Sequence, residues 1–176
     1  MPRITLGTQS KGMLVACARY GGLLLVAAIL QVTLLSRWRL FDCVPDLTLA
    51  AVFAIAFFCG AQIGAIAGIA GGFFVDALGS FGLSLLPVFY LFIGYVVGHY
   101  ARAVYPKRLT SYATYAFFAL LLRAAASVTL AAASYKSIAL PAILLRSVLP
   151  EFGLTLVLVL LLYAPMRGIC SRWTKK

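Results

Sequence analysis

Acidic side chains are scarce in this chain. Its 176 residues hold four Asp and Glu against fifteen Lys and Arg, a formal net charge of +11 at pH 7, and a single histidine, His99. The four carboxylates, Asp42, Asp46, Asp76 and Glu151, form no pair at a diagnostic spacing, and no HExxH, GxSxG or P-loop pattern occurs. Acid–base, nucleophilic and metal-assisted catalysis all require such a set. The expectation is therefore a non-enzyme, with no catalytic residue, no metal and no cofactor. The cysteines Cys17, Cys43, Cys59 and Cys170 are scattered without CxxC spacing, which excludes a disulfide framework or a zinc site read from spacing. Charge of either sign is also short, at 11% of residues, where soluble domains carry about a quarter.

What fills the chain instead is apolar. Hydrophobic residues make up 64% of it and the mean hydropathy is +1.04, so it predicts an integral membrane protein. Most basic residues fall between apolar segments, where they set orientation and meet anionic headgroups; lipid, not nucleic acid, is the expected partner. The basic residues Arg3, Lys11 and Arg19 precede "GGLLLVAAILQVTLL", but the following "SRWRLFDC" has no small-x-small cleavage site, so an uncleaved first span is expected.

Apolar stretches run over 20–36, 46–60, 61–78, 82–103, 110–134 and 146–165, predicting one membrane domain over 1–176: an all-α polytopic bundle of six transmembrane helices. The second and third stretches are almost continuous. One straight helix over 47–75 would measure about 44 Å at ~1.5 Å per residue, against a hydrocarbon core of about 30 Å. "CGAQ" at 59–62 is the expected turn that divides them. With six spans and cytoplasmic termini, the inside receives Arg3, Lys11, Arg19, Arg102, Lys107, Arg108, Arg167, Arg172, Lys175 and Lys176, and the outside Arg37, Arg39, Lys136 and Arg146. That asymmetry follows the positive-inside bias better than a five-span arrangement does.

Gly60, Gly64, Gly68 and Gly72 recur every fourth residue, with Asp76 next in the series. Residues four apart lie near one helix face, so these glycines predict a groove for close helix–helix approach, the main source of association in lipid. Two readings of Asp76 stand. It is a hydrated residue of the outer turn "DALGSFG", or a buried anchor paired with Arg123, although helix rise sets the two about 10 Å apart in depth. Pro45 and Asp46 open the second helix, with Asp46 suited to an N-cap and, secondarily, to a partner contact. Pro150 and Glu151 read as a helix start, and His99 beside Tyr100 and Arg102 as an interfacial anchor.

The basic-led first span, "PDL" at Pro45–Leu47, and "GAIAGIAGGFFVDALGSFG", in which Gly72 to Asp76 and Gly82-Leu83 fit a G-h-h-h-D pattern followed by Gly, together resemble the MreD family of rod-shape-determining membrane proteins. The matching motifs lie within 45–83; the turn after Asp76 is shorter than usual in that family, and the last three spans match only in hydrophobicity. The resemblance implies a non-catalytic multi-pass protein of the bacterial inner membrane that partners an MreC-like single-span protein, a RodA-like glycosyltransferase and a class B penicillin-binding protein. The six-helix outline is also similar to vitamin-uptake substrate-binding subunits, which implies the alternative of a small-solute-binding subunit, its cavity lined by Gln31, Asp76, Arg123 and Glu151.

Overall fold

A computed structural model describes residues 19–35, 45–79, 86–103, 108–134 and 148–173. The expected charge markers Arg3, Lys11, Arg37, Arg39, Lys107, Lys136, Arg146, Lys175 and Lys176 lie outside the described residues, as do Cys17, Cys43 and the Gly82-Leu83 pair. The described residues are almost wholly helical. Helix α1 covers 19–30 and continues as a π-helical turn, Gln31–Leu35; then follow α2 (Leu47–Cys59), α3 (Ala61–Gly79), α4 (Leu86–Ala103), α5 (Leu109–Ser134) and α6 (Leu149–Trp173).

Three segments are long and apolar enough to cross a bilayer, Ala61–Leu78, Leu109–Thr129 and Leu149–Gly168, which marks a membrane protein. Helix α6 runs beyond the expected end at 165, passing through Pro165 to Trp173. There the apolar stretch ends but the helix does not; its last turns carry Arg167 and Arg172.

Helix α2 has a different character. Its 13 residues measure about 20 Å at ~1.5 Å per residue, and every residue from Thr48 to Phe57 is buried. A helix apolar on all sides belongs inside a bundle. Helices α3, α4 and α6 pack around α2, and α5 packs on α6. An aromatic cluster ties the last two helices to this centre. The Tyr112 ring of α5 meets the edges of Phe53 and Phe57 at centroid distances of 5.0 and 5.1 Å. Its hydroxyl donates to the Val159 carbonyl of α6 at 3.0 Å.

The turn between α2 and α3 is a single residue, Gly60, at φ +94°. That conformation is costly for any residue with a Cβ. Gly60 is thus the hinge of the α2–α3 pair as well as a packing position, since a Cβ on Gly98 of α4 would lie 2.6 Å from its carbonyl carbon. The chain reverses here so tightly that Gly60 N–H still donates to Ala56 O, while its own carbonyl accepts from Gly64 N–H, both at 2.9 Å.

Candidate functional site: a glycine seam and a buried ionic cluster

Helices α3 and α4 make the closest pair in the bundle. A Cβ built on Gly64 would lie 2.5 Å from Gly94 O, one on Gly68 would run into the Tyr90 carbonyl, and one on Gly72 into Pro87. The contact is mutual: Gly94 faces the Gly64 carbonyl, and a Cβ on Gly98 would lie 2.5 Å from Ala61 N. Each obstacle is backbone and cannot rotate away. Gly94 and Gly98 are the second half of this seam. Their GxxxG spacing, "GYVVG", is the sequence signal for this half.

The seam also positions a side chain. With its carbonyl seated on Gly68, Tyr90 directs its hydroxyl across the bundle to donate to Asp46 Oδ2. Asp46 is 3% exposed and lies just ahead of α2. Its other oxygen, Oδ1, accepts from Leu49 N–H at 3.0 Å, and its own N–H donates to Thr155 Oγ1 of α6 at 3.1 Å. The first four N–H groups of a helix, here those of Asp46 to Leu49, lack intrahelical partners, and all four are matched. Asp46 N–H uses Thr155 and Leu47 N–H donates to Pro45 O at 3.1 Å, while Ala50 N–H makes the first regular helical bond, to Asp46 O at 3.1 Å. Leu49 uses the Asp46 carboxylate, and Thr48 N–H donates to Gln31 Oε1 of α1 at 2.8 Å. The expected N-cap role of Asp46 is therefore only part of what it does.

Arg123, midway along α5, completes the cluster. Its Nε lies 3.6 Å from Asp46 Oδ2 and its Nη2 3.7 Å from Glu151 Oε1 of α6. Its Nη1 donates to Ser127 Oγ at 2.9 Å, and that hydroxyl donates back to the Arg123 carbonyl at 3.0 Å. The guanidinium also stands 5.8 Å from the centre of the Phe89 ring, within cation–π range. One cation is thus shared between two carboxylates contributed from different parts of the chain. A cavity of about 10 Å³ borders Asp46, Arg123, Ser127, Glu151 and Thr155, room for about one water. Among the described residues no group of three or more His, Cys, Asp or Glu is placed to hold a metal ion.

The structure corrects the expected pairing of Arg123 with Asp76. Asp76 sits near the end of α3, which packs on α4 and α2, whereas α5 packs on α6; Arg123 therefore meets Asp46 and Glu151. Both Asp76 carboxylate oxygens are buried without a hydrogen-bond partner among the described residues. Pro45 is buried beside Asp46. His99 is exposed and stacks on Tyr95 at 6.0 Å. Tyr90, Ser127 and Thr155 carry no sequence signal of their role, because nothing in their local spacing points to residues on other helices.

At the opposite end of α2, the Arg102 guanidinium lies over the Gly60 turn. A Cβ on Gly60 would come within 2.8 Å of its Nε. This puts a cation beside the negative end of the α2 dipole.

No protein-family model, curated protein or solved structure matches the chain.

Proposed function

We propose that this protein is a non-catalytic scaffold of the bacterial cell-elongation complex. It sits in the inner membrane with six spans and cytoplasmic termini, and partners an MreC-like single-span protein together with peptidoglycan synthases. The observation that carries this reading is how the internal polar side chains are used. Of the residues expected to line a solute cavity, Gln31 caps α2 and Arg123 is divided between Asp46 and Glu151. The void beside Arg123 and Glu151 is about 10 Å³, far below the 300–1,000 Å³ of small-molecule pockets. A larger recess of about 380 Å³ between α4 and α5 is lined by Ile93, Val97, Ala119 and other apolar or aromatic side chains, not by these polar residues. Asp76, the remaining candidate, is buried without a hydrogen-bond partner among the described residues but lies outside the ionic cluster; the cluster's own polar groups bind one another and fix helix positions. This arrangement favours a body that works through its outer surfaces over one that carries a solute.

Those surfaces are apolar. Ile66, Ile69 and Phe73 on α3 and Val88, Phe92 and Tyr95 on α4 are exposed, as suits a protein that meets lipid and other membrane helices. The test is depletion in a rod-shaped bacterium together with affinity recovery from its membranes. Rounding of the cells and recovery of an MreC-like protein are the expected results. Normal shape on depletion, or recovery of an ATP-binding cassette with saturable vitamin uptake, overturns the proposal.

A further inference from the structure

Helices α4 and α5 touch little, and between them lies an apolar slot of about 380 Å³ lined by Ile93, Val97 and Tyr100 on one side and Tyr115, Ala119 and Leu122 on the other. Its floor reaches the core, since Ile93, Val97 and Ala119 are buried. Seven residue steps on either helix give a length of about 10.5 Å at ~1.5 Å per residue. A polymethylene chain is one carbon wide and rests about 3.5–4.0 Å from its neighbours, so a slot of this length and volume admits one along its axis.

The slot also has a polar end. Tyr100, near the end of α4, and Tyr115, in the second turn of α5, are the lining residues nearest the α4–α5 connection in the chain. Arg108 precedes Tyr115 by seven residues, two helical turns on the same stripe. It is exposed, and its carbonyl accepts Tyr112 N–H at 3.1 Å, which holds it in line with α5. From Arg108 to Leu122 the rise is about 21 Å, close to one leaflet with its headgroup region, half of about 40–45 Å. The buried carboxylates Asp46 and Glu151 pair with Arg123 and not with Arg108. We propose that the slot holds one acyl chain of an anionic phospholipid, with the lipid phosphate at Arg108.

The test uses the purified full chain in phosphatidylcholine nanodiscs. Each sample is doped with a trace of phosphatidylglycerol or phosphatidylcholine bearing a diazirine on one acyl chain, photolysed, and mapped by peptide mass spectrometry. Adducts are expected on Ile93, Val97 and Ala119, with the anionic probe favoured about fivefold and that preference lost in Arg108→Gln. Ala119→Phe should abolish the slot adducts. If that variant does not fold, Leu122→Trp at the exposed rim should do the same. Equal labelling by the two probes overturns the proposal. So do adducts spread evenly over exposed positions such as Phe73 and Val88, or slot residues of the protein in native membranes that crosslink to another polypeptide. No partner protein is needed, so the outcome is independent of the scaffold reading.

Discussion

The two halves of the bundle are held by opposite means. Along the α3–α4 seam, side chains are removed so that backbones touch. At the Asp46–Arg123–Glu151 cluster, long side chains reach between helices that are otherwise less intimately packed. The first mode tolerates almost no added volume but is indifferent to charge. The second tolerates changes of size but not the loss of a partner. Tyr90 belongs to both, since its backbone lies on Gly68 and its hydroxyl on Asp46.

Gly68→Leu is the most damaging change this contrast predicts. Overpacking usually costs about 1–3 kcal/mol. Here the obstruction is the Tyr90 backbone, so the expected loss exceeds about 5 kcal/mol, the exceptional end of single substitutions, and carries the ionic cluster with it. Thermal unfolding in detergent, followed by circular dichroism, reads the loss. A variant that melts like the parent would remove the seam from the account.

Asp46→Ala comes next. Stripping one partner from a buried ion pair typically costs about 3–5 kcal/mol; here the change also leaves Tyr90 and Leu49 N–H unpaired. The same unfolding assay should show a smaller drop than for Gly68→Leu, with the α3–α4 crosslinks of engineered cysteine pairs preserved. If those crosslinks vanish too, the two halves are one cooperative unit.

Double-mutant cycles sharpen the assignment of Arg123. Asp46 with Arg123 should couple by about 0.5–3 kcal/mol, whereas Asp76 with Arg123 should be additive within about 0.5 kcal/mol. Strong coupling of the second pair would restore the contact that the fold argues against. The smallest effect is expected at Gly153 on α6, where a Cβ would meet nothing within 4 Å. Gly153→Ala should be neutral or stabilise by up to about 1 kcal/mol, and a destabilised variant would show that this face is covered. Read beside Gly68→Leu, it separates a glycine required by packing from one that is not.

The contrast between the halves also explains what was legible beforehand. A seam repeats along the chain, so Gly64, Gly68 and Gly72 announced it by spacing alone. The turn near Gly60 followed from a length argument, although its one-residue tightness did not. The cluster has no period. Asp46, Tyr90, Arg123 and Glu151 are separated by tens of residues and meet only because α2 is surrounded. Depth arithmetic correctly weighed against Asp76 as the partner of Arg123, but depth alone names no alternative. Sequence distance likewise hid the Phe53–Tyr112–Phe57 stack, whose members look like ordinary apolar residues.

The shortness of α2 has a further consequence. A lipid-exposed rod of about 20 Å would face severe hydrophobic mismatch in a 30 Å core and would drag the bilayer thinner around it. Because its neighbours enclose α2, the membrane feels their lengths and not its own. A change of lipid thickness can then be absorbed by the inclination of the outer rods, while the centre keeps its shape in membranes of different composition.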